Sequence, residues 1–119
     1  MVVGCIYKHP GTPINGFTKL YFSPILDIIN KERRKGVLLG DFNINLLDFN
    51  EKREIGEFVD SAASHNFFPI ISIPTRITDS TSTLIDNILI SPDEVSYESG
   101  NLLTGISDHL AQFLFPVSK

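Results

Sequence analysis

Apolar positions along the chain alternate between two periods. Val2–Tyr7 is apolar and rich in β-branched residues, which predicts a strand. His9–Gly16 carries two prolines and two glycines and reads as a loop. Ser23-Pro24 has the form of an N-cap followed by proline at the first helical position. Ile25, Ile28 and Ile29 then recur at helical spacing, predicting a helix over Pro24–Lys35 with Gly36 just past its end. Phe17–Phe22 is expected to form an earlier turn, kinked by Pro24. Val37–Leu39 reads as a short buried strand ended by Gly40-Asp41-Phe42-Asn43. A second helix is predicted over Glu51–His65, with Ile55, Phe58, Val59 and Ala62 on one face. Phe68–Ile73, interrupted by Pro69, is a poor or edge strand. Pro74–Ser82 reads as a polar loop, and Leu84–Ile90 and Ala111–Val117 as strands. Strands alternating with helices give an α/β class, in a single domain over residues 1–119.

Composition narrows the picture. A hydrophobic content of 42% with 20% charged residues is that of a globular chain, not a disordered one. No apolar run reaches the ~18 residues of a membrane span, and no basic n-region precedes the apolar start, so no signal peptide is readable. The formal charge of −4 argues against coating nucleic acid by bulk charge and leaves open binding through a local site. The single cysteine, Cys5, suits a reducing compartment and reads as a small buried hydrophobe. The basic run Lys31–Lys35 reads as a solvated last turn that complements the helix dipole, against the alternative of contact with a phosphate backbone. His9 and His65 show no partner spacing and are expected to be structural or exposed.

Three places carry candidate chemistry. Asp41 and Asn43 follow a buried strand, where α/β sheets place ligands. In extended chain their side chains would share a face and could orient a water; the alternative is an ordinary Asx turn. Asp86 lies inside an apolar strand, so it either has a partner, a cation or a histidine, or faces solvent. Asp108 and His109 precede the last strand. There Asp108 suits a divalent metal and His109 proton exchange or donation to phosphate, against the alternative of a loop cap beside a partly buried histidine.

Taken in order, Tyr7, Gly40-Asp41-Phe42-Asn43, Pro74-Thr75-Arg76, Ser82-Thr83-Leu84-Ile85-Asp86 and Ser107-Asp108-His109 resemble the endonuclease/exonuclease/phosphatase superfamily. The nearest likeness is to the apurinic-like endonuclease of non-long-terminal-repeat retrotransposons. The resemblance implies part of a four-layer α/β sandwich of two packed sheets, with the N-terminal half missing. It implies Mg²⁺-dependent phosphodiester hydrolysis, with Mn²⁺ as a substitute. By motif, Tyr7 would contact the scissile phosphate and Asp41 and Asn43 would handle the attacking water. Asp86 would orient His109, which stabilises developing charge or acts as base, and Asp108 would lie at the metal. Thr75, Arg76, Ser82 and Thr83 would bind phosphate or DNA. The superfamily's early Asn and metal-binding Glu have no counterpart here, so the metal is expected to bind weakly. The implied partners are DNA, the missing half, or a reverse transcriptase on the same parent polypeptide, in an intracellular and nuclear setting without a membrane. The alternatives are an inactive remnant or binding fragment, and a phosphoesterase of the same superfamily acting on a substrate other than nucleic acid.

Overall fold

The structure is a computed structural model that describes residues 2–92, 96–103, 105 and 107–117. Strand β1 (Val2–Tyr7) runs parallel to β2 (Gly36–Asp41). Strand β6 (Asp86–Ile90) lies antiparallel to β2, and the two-residue β3 (Phe68–Pro69) caps its far side. The sheet order is therefore β1-β2-β6-β3. The remaining strands form two hairpins. Strand β4 (Arg76–Ile77) pairs with β5 (Ser82–Thr83), and β7 (Ser96–Leu102) pairs with β8 (Ala111–Val117).

Residues 14–31 of the connection from β1 to β2 are helical. Helix α1 (Ile14–Phe17) passes through a π-turn (Thr18–Phe22) into α2 (Ser23–Lys31). The wide turn falls just before Pro24, which lacks an N–H and would crowd the carbonyl four residues back. Ser23 is consequently helical and caps nothing; its hydroxyl bonds that of Ser61 at 2.6 Å. The helix also ends earlier than its apolar spacing predicts. Arg33, not Gly36, takes the left-handed position (φ 55°), with Arg33 N–H on Asn30 O and Arg34 N–H on Ile29 O. That is a Schellman closure. Of the basic run only Lys31 lies in the last turn, and the rest follow the helix: Arg34 pairs with Glu32 and Lys35 donates to Pro92 O. Helix α3 (Arg53–Ser64) closes in the same way, with Asn66 at φ 64°.

Period-two alternation divides the sheet into two faces. Leu38 and Leu89 turn toward the helices and join Phe17, Phe22, Leu26, Phe42, Ile55, Phe58 and Phe67 in the larger core. Val37 and Ile88 turn the other way and join Ile71 and Leu84, with Leu39, Ile90 and Leu114 of β8 packed against them. Leu84–Ile90 is thus well covered, with Leu84, Ile88 and Leu89 at 4% exposure or less. Strand β1 is not. Val3, Cys5 and Tyr7 share the second face and are all exposed, so Cys5 is not a buried hydrophobe. Among the described residues no helix is long and apolar enough to cross a membrane. The architecture is mixed α/β.

Candidate functional site

Three strand registers converge at one end of the second face. Tyr7 of β1 is partnered with Asp41 of β2, and Asp41 with Asp86 of β6. Directly opposed residues project to the same face, so two carboxylates face each other across the ladder. Just beyond Asp41 the chain turns sharply. Asn43 adopts φ 47°, its N–H bonds Asp41 Oδ1 at 3.0 Å, and its side-chain amide donates to Lys8 O at 2.6 Å. The extended geometry that would align Asp41 and Asn43 is absent. Asn43 forms the Asx turn and uses it to fix the carboxylate of Asp41 and the end of β1.

His109 arrives from the far hairpin. Its Nδ1 lies 2.8 Å from Asp86 Oδ2 and donates to it, the carboxylate having only acceptors to offer. Asp86 is mostly buried, its side chain 14% exposed, whereas the imidazole is one-third exposed. The carboxylate in the apolar strand therefore has the partner its burial requires, and the ring keeps an open side.

Thr75 holds these elements together. It is fully buried, and its Oγ1 accepts the N–H groups of Asp86 at 3.0 Å and Ile85 at 3.3 Å. Its carbonyl accepts Leu110 N–H, and Ile77 N–H bonds Asp108 O. Gln112 Nε2 adds a bond to Asp86 O at 3.2 Å. A side chain so enclosed cannot touch DNA; Thr75 positions Asp86 and the backbone around His109. Arg76 is bridged to His109 along the backbone, and its Nε donates to Asp108 Oδ2 at 2.8 Å. Ser82 is exposed, and Thr83 Oγ1 is buried without a hydrogen-bond partner among the described residues.

The electrostatics follow from this placement. Burial raises the Asp41 carboxyl above its ordinary value and Asp86 adds to the rise, while Asn43 N–H, His109 and Arg76 oppose it. Arg76 holds the Asp108 carboxyl below its ordinary value. Lys8, the residue after Tyr7, is 3% exposed, and burial lowers its ammonium against the pull of Asp41. The sequence reading passed over Lys8. Its one signal is the alternation Val2, Gly4, Ile6, Lys8, which sets it on the helix-facing side of β1.

Asp41, Asp86 and His109 bring one ligand atom each to within 4.8 Å of one another, a spacing that can hold a cation. Asp108 is not in this set, because its carboxylate serves Arg76. Comparison of the chain with models of protein families, with curated proteins and with solved structures finds no match.

Proposed function

We propose that this chain carries a Mg²⁺-dependent phosphodiester-hydrolysing site of the endonuclease/exonuclease/phosphatase type, acting on DNA as a retrotransposon endonuclease does. The observation behind the reading is the 2.8 Å bond between Asp86 and His109 with Asp41 opposite Asp86 in the same ladder. On this reading the four-stranded sheet belongs to a four-layer sandwich. The superfamily's early Asn and metal-binding Glu then come from a segment outside residues 1–119, on a parent polypeptide that carries a reverse transcriptase and works in the nucleus.

The residues present fit a divalent cation. Asp41 and Asp86 offer the carboxylate oxygens that Mg²⁺ prefers, and Mn²⁺ accepts the same donors. A cation there also relieves the repulsion of two opposed carboxylates. When bound, such an ion polarises a phosphoryl oxygen.

The side chains supply the remaining steps. Asp41, its carboxylate aimed by Asn43 N–H, orients the attacking water and accepts its proton. His109, oriented through Nδ1 by Asp86, presents its other nitrogen to the phosphate as negative charge develops; it is the alternative base. Tyr7, exposed and in register with Asp41, and Arg76, with guanidinium donors beyond the one on Asp108, contact the phosphate oxygens. Asp108 contributes by holding Arg76. A second reading, an inactive remnant that only binds, is favoured by that same ion pair, since it leaves a metal few protein oxygens.

A supercoiled-plasmid nicking assay separates the two. With Mg²⁺ or Mn²⁺ the purified chain should nick slowly. Chelation should stop it, and Asp41→Ala and His109→Ala should each reduce it by roughly 10²-fold or more, the usual worth of an acid or base. Absence of nicking, or nicking unchanged in both variants, would leave the remnant reading.

A further inference from the structure

Arg76 stands beside the candidate cation site without being one of its ligands. Arg76 and His109 are opposed across an antiparallel bridge, so their side chains project from the same side of it. Hydrogen bonds flank the bridge, Ile77 N–H on Asp108 O at 2.9 Å and Leu110 N–H on Thr75 O at 2.6 Å. The backbone thereby holds Arg76 next to His109. Its Nε donates to Asp108 Oδ2 at 2.8 Å, and its charge also reaches the Asp41 carboxylate. One guanidinium therefore serves two carboxylates, Asp108 by contact and Asp41 through space.

The other positive groups within reach of Asp41 are committed differently. Lys8 is 3% exposed, and its ammonium donates to His9 O at 3.2 Å. His109 is bonded to Asp86 and is charged only when protonated. Arg76 carries its charge at every ordinary pH, and its side chain stays 42% exposed. The bond to Asp108 runs through Nε, so the guanidinium fork keeps further donors that phosphate oxygens can accept.

We propose that Arg76 makes cation binding and phosphate binding interdependent at this site, an inference that rests on the cation site proposed above. With the site empty, the guanidinium charge is divided between Asp108 and Asp41, and a phosphate competes with both. Once a divalent cation neutralises Asp41, Arg76 loses that through-space partner while Asp108 keeps Nε. The share of charge set free then attracts the phosphate. Conversely, a phosphate on Arg76 screens the guanidinium and lowers its repulsion of an incoming cation. Linkage makes the two effects equal. Arg76 thus favours a cation and a phosphodiester together over either one alone.

The test reads binding, not turnover. Free Mn²⁺ is followed by electron paramagnetic resonance at constant ionic strength, with dimethyl phosphate as the phosphodiester. Saturating dimethyl phosphate should tighten Mn²⁺ binding to the parent chain by roughly fivefold or more, the low end of ordinary coupling between sites. In Arg76→Gln, Mn²⁺ alone should bind more tightly than to the parent, because a neighbouring positive charge is gone, and the diester should tighten it little further. An arginine that only held phosphate would, when replaced, weaken the diester equally with and without Mn²⁺ and leave the tightening as it was. That result, Mn²⁺ affinity unmoved by the substitution, or no tightening in the parent, would overturn the coupling and leave the cation site standing. No Mn²⁺ binding under either condition would overturn the site and the coupling with it. The parent measurement needs no variant, and a parent-like unfolding transition shows that Arg76→Gln is folded.

Discussion

Asp41 is where folding and chemistry oppose each other. Its carboxyl titrates above its ordinary value in the fold, so the native state binds that proton more tightly than the unfolded chain. From the unfolded value near ~3.9 up to the raised native one, its contribution to stability falls as pH rises, and at neutral pH the charge is a net cost. Asp41→Asn keeps an oxygen for the Asn43 N–H and removes one of two opposed like charges. Thermal unfolding at pH 7 should show the variant more stable by up to about 1 kcal/mol, the scale of a cross-strand charge pair, while any nicking is lost. A destabilised variant would mean that the carboxylate is favourably paired. Asp86 stood out in the sequence because a carboxylate amid Ile85, Ile88 and Leu89 either needs a partner or faces solvent, and His109 is its partner. Thr75 and Lys8 were harder. Threonine in a polar loop and lysine beside a loop read as exposed by type, whereas chain packing encloses both.

At the scale of elements, strong periodicity gave helices and strands reliably and endings poorly. The spacing of Ile25, Ile28 and Ile29 marks α2, but the helix closes at Arg33 rather than at the glycine three residues on, Gly36. Arg33 adopts the left-handed conformation despite the crowding of its Cβ. Arg33→Gly should therefore stabilise the chain by roughly 1 kcal/mol, read as a shifted urea midpoint at constant slope; a loss would show that the arginine side chain contributes more than the conformation costs. Strand β7 escaped because Ser96–Leu102 has little apolar content, and β4 and β5 because two-residue strands carry no period. His65, whose partner no sequence spacing marks, joins two helices: Nε2 lies 2.6 Å from Asp27 of α2, and Nδ1 lies 2.7 Å from Ser61 O in the last turn of α3. Burial opposes its charge, but the bonds to Ser61 and Asp27 outweigh that and raise its pKa above 6.5. A raised histidine stabilises fully below its unfolded pKa and loses that contribution as pH rises through the folded value. Stability should accordingly decline as pH climbs from about 6.5 through the raised value, and Asp27→Asn should flatten that slope in denaturation curves taken across the interval. An unchanged slope would place the titration elsewhere.

Across the whole molecule, the apolar mass and the candidate site lie on opposite faces of one sheet. The helix side holds a ring cluster in which Phe58 stands 4.7 Å from Phe22, 5.7 Å from Phe42 and 6.3 Å from Phe17, centroid to centroid. The opposite face is covered by a smaller cluster under β8 and is bare along β1. That division was only partly legible. Leu84–Ile90 reads as a strand from its apolar content, but which of its faces the helices cover depends on the crossover between β1 and β2, which no local pattern encodes. Stability should therefore depend on the helix side far more than on the site. Phe58, 2% exposed on α3, contacts the rings contributed by α1, by the π-turn and by Phe42 just past β2. Phe58→Ala would open a cavity among elements that cannot close together, at a cost of about 3–5 kcal/mol. In a domain whose total is of the order of 5–15 kcal/mol, that is enough to leave much of the chain unfolded at 37 °C. His109→Ala, one-third exposed at the rim of the other face, should cost far less. Urea titrations of the two variants beside the parent chain give the comparison directly. A His109→Ala loss as large as that of Phe58→Ala would show that the Asp86–His109 pair holds the sheet and hairpin together, and its place in the chemistry would then have to be argued apart from its place in the fold.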